Sequence, residues 1–249
     1  ADPETEAALL VAMKDEDAGV RARAVEAGGR FESRALREEL MYAISDPSPL
    51  VRAEAVLAPH RWSTSAEAAA VVDSAIANVA SKAPAQLRTE RWGLPKRGEL
   101  VPEAEDLEVI WRALFTLERR KSERARSVFH LWARYPGSVE ARIFANRGIA
   151  ALSSKTPECM QALRESLADV DPRVAVEAAT GLGRFPEAAS LPALEAACAH
   201  TSTQVRVAAV AALGEFRGHR ESARALLQKR LVDDSAAVRG EALVSMSKL

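Results

Sequence analysis

The stretch TSTQVRVAAVAALGEF, residues 201–216, carries the frame V-R-x-x-A-x-x-A-L-G, and that frame keeps returning along the chain. It stands at Val205-Arg206…Ala209…Ala212-Leu213-Gly214 and at Val174-Ala175…Ala178…Gly181-Leu182-Gly183. It stands again at Val51-Arg52…Ala55…Ala58, at Val20-Arg21…Ala24…Ala27-Gly28 and at Val238-Arg239…Ala242. Weaker copies are Ala141-Arg142…Ala145…Gly148-Ile149 and Val109-Ile110…Ala113. The copies begin at 20, 51, 109, 141, 174, 205 and 238, so every step but one is 31–33 residues. The long step, from 51 to 109, is one repeat plus an insertion of about 26 residues. A fixed period of this size marks an array in which each repeat is one small structural unit.

The frame predicts a helix, because its positions 1, 5, 8 and 9 share one face at 3.6 residues per turn. Positions 3, 6, 7 and 10 are then expected to point away from the buried stripe. Helix starts are marked by Asp, Ser, Thr or Pro in SDPSPLVR, DVDPRVAV, HTSTQVRV and VDDSAAVR. Such residues satisfy orphan N–H groups or fit a first turn. Gly28, Gly183 and Gly214 are expected as stop signals. A second apolar helix precedes the frame, over residues 32–44, 157–168, 191–199 and 220–231. Each unit is thus helix A, a turn and helix B. One such hairpin cannot bury its own apolar face, whereas stacked hairpins bury theirs jointly. Strand signals are nearly absent. The fold expected is an all-α, right-handed α-solenoid of about seven helical hairpins, a single domain over 4–249.

Asp46-Pro47-x-x-x-Val51-Arg52-x-x-Ala55 resembles the second helix of a HEAT repeat of the bacterial, phycobilisome-lyase type. Asp171-x-x-Val174 and Asp233-x-x-x-x-Val238-Arg239 resemble it too. The resemblance implies a ladder between repeats, made by the Asp and by the Arg six residues on. Asp46/Arg52 and Asp233/Arg239 keep that spacing. Thr201 stands for the Asp before Arg206, and Ala175 stands for the Arg after Asp171, so the ladder is expected to break at both places. The family implies the fold far more than the function, since scaffolds, chaperones and some enzymes share it.

The 249 residues are 48% hydrophobic but only 5% aromatic, so Ala and Val must do much of the packing. The net charge of −1 offers no global field for nucleic acid or anionic lipid, so neither is an expected partner. No apolar run of ~18 residues exists to insert into a membrane. The two cysteines, Cys159 and Cys198, give neither a disulfide framework nor a metal or redox motif. They fall about two turns apart in the array, roughly 10 Å of axial rise, beyond disulfide reach. Both are expected to stay reduced, which fits the cytoplasm unless Ala1 marks a cleaved signal peptide. Ala1-Asp2-Pro3 is set aside as a leader remnant or cloning scar. Neither end has a strongly polar cap. Leu9, Leu10 and Met13 at one end and Leu243, Met246 and Leu249 at the other need cover, which points to a longer array or to self-association.

The repeat breaks over residues 82–106, in the third unit. Five basic residues and one glutamate over 82–98 are followed by four acidic residues over 99–106. An insertion in a solenoid maps to one face, often a binding face. Trp92 in this loop either contacts a partner or pins the loop to the neighbouring helices. A second basic block, ERRKSERAR at 118–126, contains Arg119, Arg120 and Lys121. With Lys96 and Arg97 it forms a patch for an acidic partner, or else a solvated turn in which Glu123 pairs with Arg119 and Arg120. On the inner helices, a row from Trp111 through Ile143 and Val176 to Val207, with Phe115 and Arg147 beside it, is expected to line the concave face. Either strong curvature covers this row, or it is an apolar groove for a helix or extended peptide.

No catalytic constellation is present: there is no H-E-x-x-H, G-x-S-x-G or P-loop. His60, His130, His200 and His219 are scattered, and none precedes Glu as in the di-iron hydroxylases of this solenoid class. They are expected at helix ends or on the surface. No cofactor or metal is implied. The reading is a non-catalytic scaffold or adaptor that binds another protein or peptide on its concave helix-B face. The alternatives are a phycobilin-lyase-like enzyme or ligand carrier, or a purely structural spacer.

Overall fold

The computed structural model describes residues 2–62, 69, 72–73, 75–78, 104–135, 137–153 and 156–249. All seven copies of the frame lie on helices: α2 (Ala18–Gly28), α4 (Pro49–Leu57), α5 (Ala104–Arg119), α7 (Val139–Ala151), α9 (Pro172–Arg184), α11 (Thr203–Leu213) and α13 (Ala236–Lys248). The A helices alternate with them as α1 (Pro3–Ala12), α3 (Arg34–Ala43), α6 (Arg126–Trp132), α8 (Pro157–Ser166), α10 (Leu191–Ala197) and α12 (Arg220–Gln228). Before α5, residues 72–73 and 75–78 are helical as well. The described residues contain no strand, and the architecture is an α-solenoid. No helix among them is long and apolar enough to cross a membrane.

The helix starts follow from the sequence. Asp17, Ser33, Ser138, Thr156 and Asp171 each accept a bond from a first-turn N–H. Pro49, Pro157 and Pro172 take first-turn positions, where no N–H is missed. Asp2 accepts from the Thr5 amide at 2.9 Å, so Asp2 and Pro3, set aside above, form the cap and first turn of α1. Residues 82–103 of the expected insertion lie outside the described residues. Its last three, 104–106, open α5.

Two expectations need correcting. Position 6 of the frame does not point outward. Val25, Val56, Leu114, Asn146, Ala179 and Val210 are all fully buried. Each of these six B helices has another B helix packed on the side toward the next unit, which widens its buried arc beyond the stripe that faces its own A helix. The glycines are not left-handed stops either. Gly214 closes α11 with φ −62°, and Gly183 lies inside α9. They serve close approach. A Cβ on Gly214 would stand 2.8 Å from Ser245 Cβ, and one on Gly183 3.0 Å from Ala212 Cα. Among the described non-glycine residues only Lys121 has positive φ, 51°.

The turns carry a ladder of arginines. Arg21 donates from Nε and Nη2 to both oxygens of Asp46 in the next unit, each at 3.0 Å. Its Nη1 holds the carbonyls of Asp15 and Glu16, in the turn before its own helix. Arg142 treats Asp169 the same way at 2.6 and 3.0 Å, and Arg206 treats Asp233 at 3.1 and 3.0 Å. Arg52 reaches Asp106 at 2.8 Å with one nitrogen. Asp46, Asp169 and Asp233 each also accept the amide two residues on, from Ser48, Asp171 and Ser235. Burial by itself would raise the Asp233 carboxyl, but the Arg206 guanidinium and the Ser235 amide hold it down at about 2. Asp46 is likewise held below the usual range by Arg21 and Ser48, against its burial.

The breaks are not where the spacing put them. The rung position falls on His200 rather than Thr201, and on Asp169 rather than Asp171, which caps α9 instead. Arg206 is therefore in a rung, reaching forward to Asp233. Rungs are missing where the arginine is replaced, at Ile110 and Ala175. Opposite Ala175, His200 keeps the turn by accepting the Ser202 amide at Nδ1, 2.9 Å away. Both cysteines are free and buried, and burial pushes the Cys198 thiol up to about 12.

Candidate functional site

The B helices pack side by side in chain order, and they pack more closely than consecutive A helices do. Ala, Gly and Ser at frame positions 8 and 10 permit this, as at Gly183–Ala212 and Gly214–Ser245. The more closely spaced layer is the inner one, so the B helices line the concave side. Their positions 3, 4, 7 and 11 lie on the side turned away from the A helices, where side chains of adjacent B helices meet across the surface.

At the middle of this face is an aromatic cluster. Trp111 on α5 stacks on Phe144 of α7, with ring centroids 5.7 Å apart. Phe115 meets Phe144 edge-on at 5.4 Å and His60 at 5.4 Å. The Arg112 and Arg147 guanidinium groups lie over the Trp111 and Phe144 rings, at 5.5 and 5.6 Å. Carboxylates surround the arginines. Arg112 bonds Glu54 at 2.6 Å and Glu108 at 2.7 Å, and Arg147 lies 3.7 Å from Glu118. Burial raises the Glu177 carboxyl above the ordinary range, with Arg147 opposing and Glu118 adding to the rise.

Two clefts flank the cluster. One, of about 100 Å³, lies between α2 and α4 and includes Glu26, Arg30, Glu54, His60 and Arg61. The other, of about 580 Å³, spans α9, α11 and α13. Its floor is Gly183, Ala208, Ala211 and Ala212, and its rim is Arg184, Arg217 and Lys248 with Glu215. The two clefts are joined by a row at position 11, one residue past the frame: Arg30, Arg61, Arg119, Ala151, Arg184, Glu215 and Lys248. All B helices run the same way, so this row is one edge of the concave face. Arg30 pairs with Glu26 and Lys248 with Glu215. Arg61, Arg119 and Arg184 are exposed and have no carboxylate partner among the described residues.

The residues expected from the sequence fall into three groups. Trp111, Phe115, Ile143, Arg147, Val176 and Val207 are all half-buried on the B helices. Trp111, Phe115 and Arg147 come together around Phe144, while Ile143, Val176 and Val207 do not join them; Trp111, Val176 and Val207 also pack on the core. The basic junction is divided. Arg119 is exposed, but Arg120 turns inward, its Nε on Asp73 at 2.5 Å and its Nη1 on the Pro59 carbonyl at 3.0 Å, and is a structural residue. Lys121 closes α5 in the left-handed conformation. Glu123 pairs with neither Arg119 nor Arg120. Its carboxylate accepts the Ser153 hydroxyl and amide, and its pKa falls to about 2. Trp92, Lys96 and Arg97 lie outside the described residues.

Phe144, Arg61, Arg184 and Lys248 went unnoticed in the sequence. Tabulating frame positions 4 and 11 alongside 3 and 7 would have found them. The histidines differ from expectation in part: His60 is half-buried against Phe115, and His130 bonds Arg134 at 2.7 Å, where burial lowers its pKa.

Residues 5–83 and 160–247 match the family model described as HEAT repeats. No curated protein sequence matches the chain. Among solved structures, YibA of Escherichia coli is 11% identical, with 98% of this chain and 93% of that one covered at a TM-score of 0.59. The CpcE–CpcF complex of phycocyanin lyase from Nostoc sp. is 15% identical, with coverage of 97% and 93% and a TM-score of 0.54. An engineered protein is 18% identical, with coverage of 85% and 95% and a TM-score of 0.52. At these identities the likeness is one of fold.

Proposed function

The chain belongs to the HEAT-repeat family, and from that premise we propose that it is a non-catalytic interaction module that holds an acidic, amphipathic segment of a partner protein along its concave face. The observation that carries this reading is the pairing of two parallel tracks. One is the apolar strip through Trp111, Phe115 and Phe144, continued by the alanine floor of the larger cleft. The other is the edge of cations Arg61, Arg119 and Arg184, which have no carboxylate partner among the described residues. A helix or extended peptide with apolar side chains toward the strip and carboxylates toward the edge would satisfy both. Complementary charge along the edge sets orientation and speeds encounter, while the aromatic centre supplies the anchor. A reducing compartment such as the cytoplasm suits the two buried free thiols.

The test is a panning of random peptides of about 15 residues, which span ~22 Å as helix, against the folded chain. Enriched peptides should place Asp or Glu along one side of an apolar row. Their affinity should fall at least about tenfold, ~1.4 kcal/mol, in Trp111→Ala. It should fall similarly in a triple variant with Arg61, Arg119 and Arg184 all changed to Glu. Acidic peptides that bind both variants as well as wild type, or enrichment of basic peptides, would sink the reading.

A further inference from the structure

The cationic edge of the concave face changes character at the larger cleft. At Arg61 and Arg119 it offers one exposed guanidinium per unit. In the cleft two exposed ones converge from adjacent units: Arg184, the last residue of α9, and Arg217, in the turn after α11. Arg184 bonds the Ala150 carbonyl through Nη1 at 3.4 Å, and its Nε and Nη2 have no partner among the described residues. The Arg217 side chain has no hydrogen bond or ion pair among them. Glu177, two turns back along α9, lies within the field of Arg184 but forms no ion pair with it. The other charges in the lining cancel, since Lys248 pairs with Glu215 at 3.1 Å.

The floor beneath the arginines carries no bulk. Gly183, Ala208, Ala211 and Ala212 leave about 580 Å³ open, room for a side chain and its charged end. Thr180, also in the lining, donates its hydroxyl to the Val176 carbonyl at 3.0 Å and has no proton to give a ligand. Both α9 and α11 end at the cleft, and the partial negative charge of a helix C-terminus repels an anion. Attraction for an anion must therefore come from the guanidinium groups themselves.

What fits is a group that engages both arginines at once. A carboxylate has two oxygens and one charge, and a single guanidinium fork occupies it. A phosphomonoester has three terminal oxygens and close to two charges at neutral pH, which matches two forks. We propose that the larger cleft is a phosphate site, and that it takes a phosphorylated side chain of the partner segment lying along the concave face. The proposal rests on the reading of that face as a groove for an acidic segment. The segment's carboxylates meet the single cations Arg61 and Arg119, and its phosphate meets the pair Arg184 and Arg217.

Random peptides carrying phosphoserine, serine or glutamate at the centre, and otherwise alike, test this against the folded chain. Phosphoserine should bind at least about tenfold tighter than either counterpart in the same peptide. Arg184→Gln combined with Arg217→Gln should remove that advantage while helicity is retained. The advantage should also shrink as the pH is lowered through the second phosphate ionisation, near about 6. Phenyl phosphate, followed by phosphorus NMR, reads the cleft without the groove. It should bind wild type and Trp111→Ala alike and be lost from the double arginine variant. Peptides that bind no tighter with phosphoserine, an advantage that outlasts both arginines, or phenyl phosphate that binds the double variant as well as wild type would each overturn the proposal. Peptides that keep their affinity in Trp111→Ala sink the groove reading instead, and with it the partner named here, while phenyl phosphate still decides the cleft.

Discussion

The junction between the fourth and fifth units and the one between the fifth and sixth differ in a single device. At the first, Arg142 grips Asp169 with both side chains nearly out of water, 6% and 11% exposed. At the second, Ala175 stands where the arginine would be, His200 braces the turn, and α9 and α11 pack closely through Gly183 and Ala212. Both junctions are closed, so a rung is not what makes units stack. Apolar burial does that. The rung fixes which turn meets which, and once its charges are buried each depends on the other.

The largest effect should come from leaving one member of a rung alone. Asp169→Ala strands Arg142 in its buried position and should cost about 3–5 kcal/mol in urea unfolding. A cost below ~1 kcal/mol would mean that the two junctions are held alike.

Acid offers a second way to separate them. Asp233 is held at about 2 when folded, below its unfolded value near 3.9. Its contribution is complete above about pH 4 and is lost as the pH falls toward about 2. Arg206→Ala should therefore be less stable than wild type at pH 7, and the gap should narrow through that window. A constant gap would remove the rung from the acid response.

Building a rung at the bare junction should give less than breaking one costs, because two newly buried charges must first lose their water. Ala175→Arg combined with His200→Asp should show a favourable coupling of about 1–2 kcal/mol over the two single changes. A coupling of zero would make the ladder a matter of local turn shape. Least of all should come from Arg173→Ala, whose pair with Asp171 is more than half exposed on the arginine side. The change expected is within about 0.5 kcal/mol.

The period, the seven B helices and most helix starts were legible because each depends on neighbours within one unit. What the sequence hid depends on two units at once. Position 6 looks like an outward position until helices stand on both sides of it. Gly214 reads as a stop until Ser245 of the next helix fills the space where its Cβ would be. Phe144 sits at a different frame position from Trp111, and only the offset of adjacent helices stacks their rings. Arg119 and Arg120 read as one basic patch, yet one residue is about 100° of helix, enough to send the second inward to Asp73. The concave row was half legible: its apolar members were chosen by position, while the cations of its edge lie one residue past the end of the frame.

The two buried thiols fall on either side of the bare junction, Cys159 at the start of α8 and Cys198 at the end of α10. Thiols as buried as these, 1% and 3% exposed, do not meet an alkylating reagent while their helices are closed. Each cysteine is therefore a clock for its own unit. The ratio of their labelling rates in the native protein counts how often the fifth unit opens without the sixth.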